Sequence, residues 1–414
     1  MQFKYFIEGE TYENFDIGNN EIEKNFFGRT ANGKVILKFS GITYSQGLTY
    51  IFFPKGFKLK NHNSEDEIIS NAALLLKTIK KYKNNINNSE FYDEWLSDNE
   101  NFNIIKTAEW LIHDFKRNGF FIEDSNKREI NGKGKILWGQ TIKKKIPFVK
   151  NSSIIYNELI TEKNNINFNG VISKIHKSVM IDCIKKFGWL FDINIPRQNI
   201  NLFLNRNQCM GILKSKLLDT FKDREKRLLI NIIKYLELID NENAIRGYVT
   251  PYFYWIWEEM LKNIFNHDVK LEKYVPHPFW EINNNKYYTK QIPDILTRYY
   301  DDVIILDAKY YKVNFKSSNY LPGWESIVKQ LYYKDTFANN LNVIGNFFVL
   351  PYSDYERKYN FIGKVSVDGL ENRYGYIYTY TYDVATAMEY YLEQKKDQQT
   401  IEDFLNESRK STNL

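Results

Sequence analysis

Apolar residues along this chain follow two different periods, and each period predicts a type of element. Near the amino terminus, segments 35–39 and 48–53 are rich in β-branched and aromatic residues and are bounded by glycines and Pro54. Such runs are typical of strands. Residues 1–62 are therefore predicted to form an N-terminal β-rich module.

Further along, apolar residues recur every three or four positions, as on one face of a helix. The predicted stripes are Ile68, Ala72, Leu75, Ile79 and Tyr82; Ile104, Ala108, Leu111 and Phe115; Ile172, Ile175, Val179, Cys183 and Phe187; and Leu229, Ile232, Ile233 and Leu236. A mainly helical middle region is thus predicted over 63–245, where it would contact a partner or DNA. It also contains a predicted β-hairpin near 120–145, with its turn at 131–134.

The pattern changes after Gly247. One helix, several strands, another helix and further strands follow, an order that predicts an α/β domain over 246–395. Residues 396–414 are charged and polar and are expected to form a fraying tail. The predicted fold class is therefore α+β or α/β, with several domains.

Composition narrows the class of protein. Hydrophobic residues make up 43% of the 414 residues, which excludes a largely disordered chain. No apolar run approaches the roughly 18 residues of a membrane span, so no membrane association is expected. Two cysteines, Cys183 and Cys209, fit a reducing compartment, so we expect a cytoplasmic protein. The net charge of +6 does not by itself indicate whether the protein binds nucleic acid, because acidic and basic residues nearly cancel.

A nucleotide-binding loop is the first chemical candidate. Residues 28–34 match most of a P-loop, but Val35 stands where the magnesium-binding Ser or Thr should be. The segment also leads into a predicted strand rather than a helix, so an Asn-Gly hairpin turn explains it better. Any nucleotide-driven step would then need another subunit.

The stronger candidate is a predicted hairpin that carries Asp294 on one strand and Asp307 and Lys309 on the next. Residues two apart on a strand share a face, so Asp307 and Lys309 should project together, with Asp294 beside them. Two converging carboxylates make a site for a hard cation, most simply Mg²⁺ with Mn²⁺ as the alternative. Such an ion polarises a phosphodiester and activates water, while the ammonium stabilises developing charge.

Two flanking helices add candidates. Thr250 is predicted to cap a helix on which Tyr254, Trp257, Leu261 and Phe265 form the apolar side. Glu258 lies on that side and needs a partner, such as the metal, whereas Glu259 should be solvated. On the helix predicted from Gly323 to about Ala338, Gln330 adjoins the apolar stripe, where its amide would steady the site or a DNA phosphate.

These residues resemble the PD-(D/E)xK nuclease signature. Glu258 would be the helix acid, Asp294 the acid of the Pro-Asp pair, and 307–309 the D-x-K. The order helix, hairpin, helix, strand also resembles the core of such nucleases. The alternative is a surface hairpin with an ordinary Asp-Lys ion pair, which contributes little.

The middle of the chain is similar to LlaJI-family restriction endonucleases, relatives of the McrC nuclease subunit. The likeness lies in 114–119, 134–142, Pro147 and 154–156, with a fainter one in 41–55. It implies a Mg²⁺-dependent endodeoxyribonuclease subunit that cuts double-stranded DNA in phage defence, beside methyltransferases. The catalytic residues would be Asp294, Asp307, Lys309, Glu258 and Gln330, with Asp294, Asp307 and Glu258 as metal ligands.

The resemblance also implies a partner. An McrB-like AAA+ NTPase would bind GTP, or ATP, and the amino-terminal half of this chain would dock on it. One departure concerns Gln330: many nucleases of this group carry Gln-x-x-x-Tyr, but here Lys334 occupies the last position and Tyr333 lies one residue early.

Two other functions stay open at this point. A non-catalytic DNA-binding or assembly subunit would retain the nuclease fold without binding metal. A stand-alone repair nuclease would cut DNA without a motor. Gene neighbourhood separates the last from a restriction subunit.

Overall fold

A computed structural model describes residues 3–13, 26–45, 47–60, 64–86, 103–150, 153–167, 170–193, 204–239, 247–289, 291–315, 317–337 and 341–412. The chain divides into two compact units. Unit 1 comprises Met1–Ile105 with Glu242–Leu414, and unit 2 comprises Lys106–Asn241. The domain boundaries predicted at 62/63 and 245/246 lie outside the described residues. No described helix has the length and hydropathy needed to cross a membrane.

The elements are numbered in chain order. The strands are β1 Phe3–Ile7, β2 Thr11–Tyr12, β3 Phe27–Arg29, β4 Val35–Leu37, β5 Ser40–Ser45, β6 Leu48–Phe53, β7 Glu123–Ile130, β8 Lys135–Ile136, β9 Phe148–Lys150, β10 Ser153–Ile155, β11 Ile160–Asn167, β12 Tyr248–Thr250, β13 Phe279–Ile282, β14 Asn285–Tyr288, β15 Ile295–Tyr299, β16 Asp302–Ala308, β17 Val343–Pro351, β18 Tyr359–Val365 and β19 Ile377–Tyr382. The helices are α1 Glu65–Ile86, α2 Ile104–Asn118, α3 Trp138–Lys144, α4 Val171–Phe187, α5 Arg206–Leu218, α6 Asp223–Leu238, α7 Phe253–Ile264, α8 Trp324–Phe337, α9 Glu371–Tyr374, α10 Val384–Glu393 and α11 Gln398–Thr412.

The N-terminal strands of unit 1 form a sheet in the order β1-β6-β5-β12, in which β6 is the strand predicted at 48–53. The strand predicted at 35–39 is β4, and it belongs to a separate sheet in the order β2-β4-β3. The fourth strand, β12, comes from far along the sequence and pairs antiparallel with β5. Gly41 permits this approach, because a Cβ there would lie 2.0 Å from the Tyr248 carbonyl oxygen. Thr250 therefore belongs to a strand, and the prediction that it caps the helix is wrong.

The chain leaves unit 1 after Ile105 and returns at Glu242. Inside unit 1, the Asn103 side-chain amide donates a hydrogen bond of 3.1 Å to the Gly247 carbonyl oxygen. Residues on either side of the excursion thus lie next to each other.

Residues 28–34 form a hairpin, as the sequence predicts. β3 and β4 pair antiparallel, with Gly28 opposite Ile36. Gly33 has φ +77° in the turn, a conformation that glycine adopts without strain. The residue after Lys34 starts a strand rather than a helix, so no helix N-terminus faces this loop.

The helical stripes are confirmed where periodicity was strong. In unit 1, the α1 stripe from Ile68 to Tyr82 is buried, and in unit 2 the stripes of α4 and α6 are buried as well. Apolar residues spaced by one turn share a face, and burying that face drives the helices together.

The predicted hairpin near 120–145 is wrong. The three-stranded sheet has the order β7-β11-β8, so β11 lies between the two strands that the sequence suggested as partners. β11 pairs with all eight residues of β7, whereas it pairs with only two residues of β8. The longer, more distant strand forms more backbone hydrogen bonds and takes the place beside β7.

The largest sheet in the described residues belongs to unit 1 and has the order β15-β16-β17-β19-β18. Helix α8 covers one face, where Tyr333 and Phe337 pack against Val303 and Ile305 of β16. On the opposite face, Phe347 of β17 contacts Phe404 of α11. The mixed α/β, multidomain fold that the sequence predicts is thus present.

The expectation of a fraying tail at 396–414 is wrong for its described part. Residues Gln398–Thr412 form α11, and Ile401, Phe404 and Leu405 are buried. The Asp397 carboxylate accepts hydrogen bonds from the Tyr382 and Thr400 hydroxyls. Sparse apolar residues on one face anchor this helix despite its polar composition.

Candidate active site

The β15–β16 hairpin brings the two predicted aspartates together. Ile295 lies opposite Leu306, so one residue further along the same register Asp294 lies opposite Asp307. The Ala308 backbone N–H donates a hydrogen bond of 3.0 Å to Asp294 Oδ2. The register of a single hairpin therefore sets the spacing of both carboxylates.

Asp307 and Lys309 form a close ion pair. Lys309 Nζ lies 2.6 Å from Asp307 Oδ2, and the two side chains are 15% and 2% exposed. The ammonium also lies 5.8 Å from the centre of the Phe348 ring. Both side chains project from the face of the sheet that α8 covers, as their alternation with Leu306 and Ala308 predicts.

The carboxyl group of Asp294 has an unusual proton affinity. Burial, together with the negative charges of Asp307 and Glu258, raises the pKa of this carboxyl to about 7, although Lys309 and Lys329 act in the opposite direction. Two nearby carboxylates in a partly dry site resist being ionised together. Three ammonium groups, those of Lys309, Lys329 and Lys262, lie near the three carboxyl groups of Asp294, Asp307 and Glu258.

Glu258 lies near the aspartates but is tied to its own helix. Its Oε1 accepts a hydrogen bond of 2.5 Å from Lys262 Nζ, and its side chain is 31% exposed. Glu259, which was expected to be solvated, is only partly exposed, and burial raises the pKa of its carboxyl. Helices α1 and α10 both pack against α7. Tyr254, expected on the apolar side of α7, is 42% exposed.

Gln330 is buried but faces a different partner. Its side-chain N–H₂ donates a hydrogen bond of 2.7 Å to Asn346 Oδ1 on β17. Asn346 lies opposite Ile305, two residues before Asp307 along β16. The amide of Gln330 thus joins α8 to the middle of the sheet, and a role at the carboxylates stays a prediction.

Comparison with known proteins identifies the family of this chain. Residues 39–395 match the family model described as LlaJI restriction endonuclease. The chain belongs to this family. The Bacillus subtilis (strain 168) protein named Type II restriction enzyme BsuMI component YdjA is 28% identical over 402 residues, which cover 89% of this chain and 85% of that protein.

A solved structure is also similar. It is a refined half-complex from a tetradecameric assembly of Thermococcus gammatolerans McrB AAA+ hexamers with bound McrC. The matching chain is 14% identical, with a TM-score of 0.39, and the match covers 95% of this LlaJI-family chain and 99% of that chain.

Two α8 residues that lie near the aspartates, Lys329 and Tyr333, were not among the predicted site residues. Tyr333 is buried, and its hydroxyl donates a hydrogen bond of 3.4 Å to the Ile292 carbonyl oxygen. Burial, with the charges of Asp294 and Asp307, raises the pKa of this hydroxyl to about 12. The Lys329 ammonium lies 5.5 Å from the centre of the Tyr333 ring. Their i, i+4 spacing was visible in the sequence, but nothing there showed which face met the aspartates.

The carboxylate pair fits a divalent cation. Among the described residues, no group of three or more His, Cys, Asp or Glu side chains is arranged to hold a metal ion. Mg²⁺ does not need such a group, since it commonly binds through one or two carboxylates and completes its shell with water and phosphate oxygens. Asp294 and Asp307 supply two hard oxygen donors at one end of the hairpin.

Proposed function

We propose that this LlaJI-family chain is the DNA-cleaving subunit of a nucleotide-dependent restriction system. It would hydrolyse DNA phosphodiester bonds with Mg²⁺ when assembled with an McrB-like AAA+ subunit. The observation that carries the proposal is the Asp294–Asp307 pair beside Lys309, in a chain of a restriction endonuclease family.

Each residue has a role in this proposal. Asp294 and Asp307 bind the ion, which when bound supplies Lewis-acid polarisation of the phosphodiester. The Lys309 ammonium neutralises charge that develops on the phosphoryl oxygens, and it orients the attacking water. Tyr333 and Lys329 shape the wall opposite the strands, with the Lys329 charge attracting the DNA backbone.

An exposed hairpin directly before Asp294 supports duplex DNA as the substrate. Strands β13 and β14 are exposed throughout, and Trp280 lies opposite Tyr287. Lys286 Nζ lies 4.4 Å from the centre of the Phe279 ring. An isolated two-stranded sheet with so many exposed aromatic side chains is marginally stable alone, and such a ribbon fits the major groove of DNA.

The ribbon also lies close enough to the aspartates in sequence to contact the same DNA duplex. Tyr288 precedes Asp294 by six residues, so the connecting chain spans at most about 20 Å. That length corresponds to roughly six base steps of duplex at about 3.4 Å each. DNA whose phosphate lay at the carboxylates would therefore pass the ribbon.

The motor subunit is the least direct part of the proposal. The strand that follows residues 28–34 leaves this segment without the helix that a P-loop needs, and the B. subtilis relative is named a component of its enzyme. Unit 2 exposes large apolar side chains on its β-structure and near α3, such as Ile146, Ile154 and Val149. We assign this surface to the AAA+ partner, because such patches mark interaction sites. The choice of GTP rests on the resemblance to McrC.

A cleavage assay tests the proposal. The full chain is combined with the neighbouring AAA+ protein, duplex DNA, Mg²⁺, and either GTP or ATP. Asp294→Ala, Asp307→Ala or Lys309→Ala should each lower the cleavage rate at least about 100-fold. The matched control is Asp301→Ala, in the exposed turn of the same hairpin. Cleavage at the wild-type rate by all three variants would exclude this site.

A non-catalytic subunit is the second candidate, because two of the three acids at the site have close cationic partners. Lys309 lies against Asp307 and Lys262 against Glu258, so the site is partly neutralised without a metal. Calorimetric titration with Mn²⁺ separates the two functions. A binding site lost in Asp307→Ala supports the nuclease, and the absence of Mn²⁺ binding supports the assembly role.

A further inference from the structure

A buried carboxylate from the N-terminal sheet reaches the segment that follows the aspartate pair. Glu8, just after β1, is 4% exposed. Its Oε2 accepts hydrogen bonds of 2.6 Å from the Ser40 hydroxyl and 2.7 Å from the Tyr310 hydroxyl. Lys55 Nζ lies 3.6 Å from its Oε1. Tyr310 is the residue directly after Lys309.

The Tyr310 side chain is held on several sides. Its hydroxyl donates to Glu8 and accepts a hydrogen bond of 2.9 Å from the Lys55 backbone N–H. Its ring lies 5.8 Å from the Phe253 ring at the start of α7, and 4.7 Å from the Lys55 ammonium. Hydrogen bonds restrict direction more strongly than apolar packing does, so Tyr310 has one preferred position.

The turn that carries Lys55 also contacts the end of β17. Gly56 accepts a hydrogen bond of 2.8 Å at its carbonyl oxygen from the Ser353 backbone N–H. A Cβ on Gly56 would lie 2.2 Å from the Pro351 carbonyl oxygen at the end of β17. Because β16 and β17 are parallel, this turn contacts the edge of the sheet at which both strands end. Asp307 and Lys309 lie at that same edge.

We propose that Glu8 and Tyr310 are positioning residues for the aspartate pair. They anchor the chain just beyond β16, and thereby fix Asp307 and Lys309 relative to Asp294. Neither side chain touches the reacting atoms. A buried carboxylate is costly unless it is paired, so its three polar partners indicate a requirement for defined geometry rather than for simple burial. The inference rests on the proposed nuclease function.

The test uses two conservative variants and one matched control. Tyr310→Phe removes only the hydroxyl, and Glu8→Gln removes only the charge. The control, Glu10→Gln, removes an exposed ion pair of 2.8 Å to Lys312 that joins the same two chain segments. The full chain is titrated with Mn²⁺ by calorimetry, assayed for single-turnover cleavage with its AAA+ partner, and melted by circular dichroism.

Both variants should bind Mn²⁺ and cut DNA roughly ten-fold less well, as is usual when support for a metal ligand is lost. DNA affinity should stay at the wild-type value, and the control should stay within about two-fold of wild type in every assay. Wild-type Mn²⁺ affinity in both variants would overturn the inference. The inference would also be overturned if the losses of Mn²⁺ affinity and cleavage only matched the fraction of each variant that is unfolded, because that result indicates a structural role alone.

Failure of the proposed function gives a different result. If the wild type binds Mn²⁺ at a site lost in Asp307→Asn but leaves DNA intact, the nuclease proposal fails, and the Mn²⁺ affinities of the variants still decide the positioning role. If the wild type binds no Mn²⁺, both proposals fail.

Discussion

Asp294 and Asp307 lie at one end of a hairpin, beyond the buried apolar side chains of Leu296, Val303 and Ile305. Strand alternation was sufficient to predict that Asp307 and Lys309 share a face with Asp294 beside them. Strand alternation says nothing about Glu258, which lies on a helix. The carboxylate of Glu258 pairs with Lys262, one turn further along the same helix. Strand alternation also gave no sign of Lys329, because the placement of α8 over the strands depends on tertiary packing.

The raised pKa of Asp294 predicts a pH-dependent stability. Below about pH 4 the carboxyl is protonated in both states. Between there and about pH 7 the unfolded chain releases this proton while the folded chain keeps it, so the free energy of unfolding falls as the pH rises. With chelator present, Asp294→Asn should therefore be more stable than wild type above pH 7, by about 1 kcal/mol or more.

Urea unfolding at pH 4, 6 and 8 measures this difference. The gain should shrink towards pH 4, where both proteins carry a neutral group. Asp301→Asn, in the exposed turn, is the control and should show no such trend. A variant that is less stable than wild type at every pH would contradict the cost of burying the charged Asp294 carboxylate beside Asp307.

At the scale of elements, local periodicity predicted what local contacts determine. The α1 and α4 stripes are buried as expected, because residues one turn apart meet whatever lies elsewhere in the chain. Strand pairing follows a different logic. The choice of β11 over β8 as the partner of β7 depends on a strand some 30 residues away, which a turn signal at 131–134 does not reveal.

The ribbon of β13 and β14 carries a prediction for DNA binding. Trp280→Ala and Tyr287→Ala should each weaken binding about five-fold or more, since loss of a large aromatic side chain from an interface commonly costs about 1 kcal/mol or more. Asp307→Asn is included in every protein to prevent cleavage, and fluorescence anisotropy with labelled duplex gives the affinities.

The matched control for the ribbon is Tyr300→Ala. Tyr300 is 80% exposed and lies in the β15–β16 turn, at the opposite end of the hairpin from the aspartates. Its loss should leave DNA affinity unchanged. Equal effects of all three substitutions would show that the ribbon has no special part in binding DNA, and a change in oligomeric state confined to the ribbon variants would point instead to a second copy of the chain.

At the scale of the molecule, unit 1 is assembled from two distant parts of the chain. The sequence indicated a separate N-terminal module, because its strands are locally recognisable. Nothing local showed that β12 would complete that sheet, or that Tyr310 would be bonded to Glu8, 302 residues earlier. These contacts depend on complementary surfaces, which patterns of single segments do not encode.

Substitution of Gly56 tests how closely the turn after β6 packs against the end of β17. Gly56 and Gly47 both have positive φ, +74° and +78°, but only Gly56 approaches another strand, at Pro351. Both Gly→Ala variants incur backbone strain, so the difference between them isolates the close approach. Gly56→Ala should lose about 1–3 kcal/mol more in the free energy of unfolding, measured by chemical denaturation. Equal losses would mean that the turn can move away from β17.

The hydrogen bond between Asn103 and Gly247 marks the place where a genetic excision can be made. Because the chain departs and returns at adjacent points, a short linker replacing 106–241 would leave every strand of unit 1 with its present neighbour. A fragment that started at residue 242 would instead retain Asp294 and Asp307 but lack β5, Glu8 and Ser40. An N-terminal truncation therefore removes strands that support the aspartate pair, whereas an internal deletion of 106–241 leaves those strands in place.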